Sequence, residues 1–189
     1  IAFNEINTMD IDQKETKGII TDSEILNTKK SNICSRYLKT QQVILLLGKA
    51  TISYKNEADI LLRLISCYLG YGMSSLLFKV LREKYGVVYE AGIYHPIREA
   101  QTPFVMHAST TEEKAMLTLK LLKECWEKVI DTEISSEELD LLKIKYRGQI
   151  AHSLQSISQR AEHKAHLLGI GLTKDHDKEI LLRLESISS

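Results

Sequence analysis

The sequence predicts an α+β fold, with helices packed on one face of a largely antiparallel sheet. Three observations lead there. Short β-rich runs lie in the first 110 residues, whereas everything after Ser109 repeats at helical spacing. Strands and helices therefore segregate instead of alternating as βαβ units. The runs GVVYEAGIYH and PFVMHAS are separated only by PIREAQT, which suits an antiparallel hairpin and is too short for a parallel crossover. Finally, 189 residues with 43% hydrophobic and 26% charged content are enough for one sizeable core.

Each element has its own signal. Residues 1–32 are polar without a sustained period and read as a linker or leading arm, so the domain proper is expected over residues 33–189. QQVILLLG, residues 41–48, is a short apolar run closed by glycine, the length of a buried strand. In NEADILLRLISCYLG, Asn56 reads as an N-cap. Ile60, Leu61, Leu64, Ile65 and Tyr68 return at helical spacing, and Gly70 ends the helix. Residues 74–84 read as a shorter helix with Leu77, Val80 and Leu81 on its apolar side and Gly86 as terminator. After the hairpin come three capping boxes: Thr110 with Glu113, Ser135 with Glu138, and Ser156 with Gln159. Asp177 is expected to cap a last helix carrying Ile180, Leu181, Leu184 and Ile187.

Composition excludes several functions. Lys plus Arg and Asp plus Glu number 25 each, so the chain lacks the basic face that a nucleic-acid partner requires. No apolar run approaches the ~20 residues of a membrane span. The three cysteines form no C-x-x-C pair, which argues against a disulfide framework or a thiolate zinc site. Cys67 and Cys125 fall inside helical apolar patterns and read as buried small hydrophobes. The chain opens on Ile1 with no signal-peptide pattern, and it reads as a piece of something longer whose compartment is unknown.

Local motifs are weighed against simpler explanations. Gly70-Tyr71-Gly72 fails the dinucleotide fingerprint, because Ser75 stands where the third glycine belongs and a helix precedes the turn. No Gly-Lys-Ser/Thr follows for a phosphate loop. A turn that uses glycine's freedom at positive φ explains it better. Ser74 and Ser75 lack a G-x-S-x-G context. His163 and His166 share a helix face, but no third ligand stands locally beside them, only His152, Glu162 and His176 as candidates, and H-E-x-x-H and H-x-x-E-H are both absent; a solvated face is expected. Arg82 and Tyr89 lie on either side of Gly86, where a reversal can bring both to one surface. A guanidinium fork and a phenol are both donors suited to a carbonyl or an oxyanion.

At these residues the sequence resembles a known family. GYGMSSLLFKVLREKYGVVYEAG is similar to the GGGMSSRLF…REKRGLAY signature of the inverzincin zinc metallopeptidases, the pitrilysin, insulysin and mitochondrial processing peptidase group. The likeness is to their C-terminal, non-zinc-binding domain. The stretches STTEEKAMLTLKLLKECWEKV and ISSEELDLLKIKYRGQIAHSLQSISQRAEH resemble the family's helical tail, so the likeness covers about residues 33–189.

The resemblance implies two homologous halves facing each other across a cavity. One half holds zinc through H-x-x-E-H and a distal Glu, and the motif's Glu activates water. The other supplies an Arg/Tyr pair seven residues apart, which Arg82 and Tyr89 match. Gly70, Gly72 and Met73 are implied at the cavity edge. Tyr71 replaces a usual glycine, and Leu76 and Tyr85 replace usual arginines. With its zinc motif absent, the chain is expected to bind no cofactor and to be inactive alone. The zinc, and a zinc-binding partner domain in cis or in trans, belong to the other half; the substrate is a peptide. The alternative is a non-catalytic structural or assembly subunit of the same fold.

Overall fold

The computed structural model describes residues 34–36, 40–131 and 133–187. The chain divides into two units, residues 1–39 and 40–189. In the first, only Cys34, Ser35 and Arg36 are described, and all three are exposed. The leading arm expected over residues 1–32 lies outside the described residues.

The second unit is α+β. Strand β1 (Val43–Thr51) is followed by helix α1 (Asp59–Gly70), a π-helical segment (Phe78–Lys84), β2 (Glu90–Tyr94) and β3 (Thr102–Thr110). Helices α2 (Ala115–Asp131), α3 (Ser136–Ser153), α4 (Ile157–Gly169) and α5 (His176–Glu185) complete it. The strands form an antiparallel sheet in the order β1-β3-β2, with Leu46 opposite His107 and Gly92 opposite the same histidine. β1 runs past Gly48, where the sequence ends it. That residue fits because a Cβ there would sit 2.7 Å from the Phe104 carbonyl and 2.8 Å from Val105 Cγ2.

Alternation along β3 decides which face is covered. Phe104, Met106 and Ala108 are buried and cluster with Leu69, Leu77, Leu81, Leu121 and Leu122 from the helical layer. The partners of the opposite face, Ile44 and Leu46 on β1, remain 61% and 69% exposed. One face therefore carries the core and the other stays open, the usual arrangement of an antiparallel sheet. A second cluster joins α1, α3 and α5 through Ile60, Leu64, Cys67, Leu142, Tyr146 and Leu184. Among the described residues no helix is long and apolar enough to cross a membrane.

Two of the three expected capping boxes form as read. Ser135 accepts from Glu138 N at 3.3 Å while Glu138 Oε2 accepts from Ser135 N at 3.2 Å. Ser156 and Gln159 exchange the same bonds at 3.1 and 3.0 Å. The third does not form. Thr110 ends β3 and donates its hydroxyl to the Val87 carbonyl at 2.5 Å, so Thr111 takes the N-cap position of a short 3-10 turn ahead of α2. Asn56 is not an N-cap either. Its side chain accepts from Ala58 N at 2.9 Å, closing a turn one step before the helix. Asp175, not Asp177, precedes α5.

A buried charge network ties α1 to the β2–β3 connection. Asp59 accepts from Arg63 Nε at 2.7 Å on one oxygen and faces His95 Nε2 at 3.1 Å on the other. His95 Nδ1 stands 3.3 Å from the Pro103 carbonyl. Burial pushes the Asp59 carboxyl upward, but the His95 hydrogen bond and the Arg63 charge outweigh it and hold the group below its ordinary value.

Candidate functional site

The glycine turn is built by close approach. At the last residue of α1, a Cβ on Gly70 would lie 2.8 Å from both Ile93 N and Ile93 Cγ1 and 3.2 Å from Gly92 C. Only glycine lets the helix end rest on the β2 backbone. Tyr71 then turns extended, and its N–H closes on Cys67 O at 3.2 Å. Gly72 follows at φ 70°, facing open space, and Met73 is 74% exposed. The two glycines thus serve different ends, contact at Gly70 and conformation at Gly72. Gly70→Ala is expected to cost about 1–3 kcal/mol, because two of the three crowding atoms, Ile93 N and Gly92 C, are backbone. Gly92→Ala meets only the movable His107 ring and should cost less. Thermal melts of the two variants check the order; equal losses would refute the backbone argument.

Beyond the turn, the segment that carries Arg82 is not an ordinary helix. It is π-wound, with Tyr85 N reaching back five residues to Val80 O at 3.2 Å and Val87 N closing on Leu81 O at 2.9 Å. Such windings recur at functional sites. Gly86, at φ 57°, then reverses the chain into β2. Two long-range bonds pin the reversal: Lys114 Nζ to Gly86 O at 3.0 Å and Thr110 Oγ1 to Val87 O. The Arg82 guanidinium stands over the Phe78 ring, 5.3 Å from its centroid. Tyr89, whose N–H donates to Ser109 O at 2.9 Å, is 59% exposed. Arg82 and Tyr89 therefore occupy the two arms of one locked reversal. Among the described residues neither side chain makes a hydrogen bond, so both keep their donors for something else.

One cleft lies at the glycine turn and another at the reversal. The larger, about 260 Å³, is lined by Gly70, Tyr71, Ser66, Glu90, His107 and Gln149, among others. The smaller, about 60 Å³, lies against Gly86, Val87, Val88, Tyr89, Thr111 and Lys114. Gly72 and Met73 line neither. Gln149, His107 and Lys114 carry no motif, and only the fold brings them here.

Of the two histidines read as a solvated face, His166 is exposed as expected, but His163 is not. His163 Nε2 faces both carboxylate oxygens of Asp177, at 2.9 and 2.8 Å, and joins α4 to α5. Asp177 is drawn there instead of capping α5. Among the described residues no three metal-ligating side chains converge, so the groups present do not fit zinc. Burial pushes the Cys67 and Cys125 thiols up to about 11, far from the thiolate a nucleophile needs.

The description "Peptidase M16 inactive domain" belongs to a family model that matches residues 10–146, well over half of the chain. The chain belongs to the peptidase M16 inactive-domain family. The match begins within the stretch read as a leading arm and includes the glycine turn, Arg82, Tyr89, the whole smaller cleft and all of the larger one but Gln149. This M16 inactive domain is similar to an uncharacterized zinc protease of Rickettsia bellii, 31% identical over 130 residues that make up 68% of this chain and 30% of that protein. It therefore spans less than a third of that relative's length. Among solved structures it resembles a peptidase M16 inactive domain from Pseudomonas fluorescens, with TM-score 0.65 and 22% identity over 79% of this chain and 35% of that one. A chain of Complex III2 from Candida albicans shares the fold at TM-score 0.60 and 13% identity, over 79% of this chain and 38% of that one. The α+β layer expected from segregated strands and helices is the architecture of these inactive domains.

Proposed function

We propose that residues 33–189 form the non-zinc-binding half of a zinc-dependent peptidase, closing a cavity opposite a homologous zinc-binding half and contacting the peptide through Arg82 and Tyr89. The observation that carries this reading is the reversal at Gly86. It lies inside the family match and holds an arginine and a tyrosine seven residues apart with their donors uncommitted. Zinc, held elsewhere, would supply the hydrolytic chemistry; this chain's part is to bind and orient. Arg82 offers a fork of charged donors to a peptide carbonyl, and Tyr89 adds a single phenolic donor. Aimed at a developing oxyanion, each such donor is worth about 10²–10³ in rate.

Arg82→Ala and Tyr89→Phe in the full-length protein with its catalytic half are expected to lower kcat/KM for peptide cleavage by about 10²-fold or more, with bound zinc unchanged. Full activity in both variants would remove the pair from the mechanism. The likeness to a Complex III2 chain supports a second reading, a subunit with a structural role only. That reading predicts no peptide binding. The remainder of the protein separates the two: an H-x-x-E-H there, or in a partner subunit, favours the peptidase.

A further inference from the structure

The smaller cleft carries a chemical signature of its own. Its three polar side chains, Tyr89, Thr111 and Lys114, can all donate. Lys114 Nζ gives one hydrogen bond to Gly86 O, and an ammonium has three protons, so two are left over. Thr111 occupies an N-cap position, yet its side chain makes no capping bond, and its Oγ1 is buried with no partner among the described residues. Tyr89 adds a phenol. The walls are fixed: Thr118 Oγ1 donates to Lys114 O at 2.9 Å, and the Thr110 hydroxyl holds Val87 from the other side. The carboxylates nearest along the chain, Glu90, Glu112 and Glu113, are exposed and do not line the cleft. A niche of about 60 Å³ has room for a carboxylate group. A buried hydroxyl without a partner, beside a cation with spare protons, is completed by an anionic acceptor.

We propose that this niche is a carboxylate subsite of the peptide-binding wall, taking an acidic side chain or the C-terminal carboxylate of the substrate. The assignment rests on the peptidase reading above. Lys114 supplies the charge, Thr111 the buried donor, and Tyr89 bridges the subsite to the residues that contact the scissile region.

The test uses the full-length protein with its catalytic half and a casein-derived peptide that it cuts. The peptide is made in four forms, with Glu or Gln side chains and with a C-terminal acid or amide. Neutralising the recognised group should raise KM by about tenfold, the worth of one charge-assisted hydrogen bond. Lys114→Gln and Thr111→Val should each collapse that difference between charged and neutral peptides. Lys120→Gln, at an exposed lysine paired with Glu124, should preserve it. Discrimination lost on Glu→Gln identifies a side-chain carboxylate; discrimination lost on amidation identifies the chain terminus. Cleavage that ignores all four changes, or discrimination that survives in both cleft variants, overturns the subsite and leaves the peptidase reading standing. If no casein peptide is cut, both readings fall.

Discussion

Asp59→Ala is expected to lose about 3–5 kcal/mol of folding stability, the cost of stripping the partner from a buried charge. Arg63 and His95 both close on this one carboxylate, and all three side chains are almost wholly buried. Arg63 Nη2 already lacks a partner among the described residues, so the guanidinium has no second carboxylate in reserve. Urea unfolding measures the loss. A double variant, Asp59→Ala with Arg63→Met, should recover much of it, because no uncompensated charge is then buried. A loss below about 1 kcal/mol would mean that water reaches Arg63 and the network is ornamental. The same network sets an acid limit. A carboxyl held below its ordinary value contributes stability that is present above the unfolded value near pH 4 and lost as pH falls through the folded one. Wild type should therefore show an acid-side decline in this window that Asp59→Ala lacks.

Phe104→Ala is expected to cost a similar ~3–5 kcal/mol by a different mechanism, the cavity left in a close-packed core. Phe104 lies on the central strand and is 1% exposed. Its ring meets Trp126 edge-on at 5.6 Å and tilts against His95 at 5.3 Å. Losing it removes both ring contacts and the bolt between sheet and α2, and the melting temperature should fall by roughly 10 °C. Phe104→Leu, which keeps most of the volume, should cost distinctly less. Equal losses for the two variants would show that ring geometry, not volume, carries the position.

The contrast between these two residues shows what a linear sequence discloses. Periodicity placed Phe104 on a strand and the helices after Ser109 in order, because alternation and helical spacing are local properties. Ser135 and Ser156 formed their boxes for the same reason: each partner is three residues away. Where the partner is distant, local reading fails. Thr110 looked like a cap, but its hydroxyl goes to Val87, twenty-three positions earlier. Asp177 looked like another, but His163 draws it. The charge network pairs Asp59 with a histidine thirty-six residues on, in a connection with no pattern at all. The π winding was equally hidden, since it depends on Val87 closing back onto Leu81 after the chain has turned. Arg82 and Tyr89 are singled out by resemblance and spacing, whereas Lys114 and Thr111 come together with Tyr89 only once the reversal is folded against α2.

The open face of the sheet separates two kinds of selection. Every second residue of β3 anchors the core, whereas the residues between them are half-buried and Ile44 and Leu46 beside them are exposed. Substitutions at Ile44 and Leu46 should leave the fold's stability nearly untouched. The exposed positions of such a domain can drift without bringing the fold near its stability threshold.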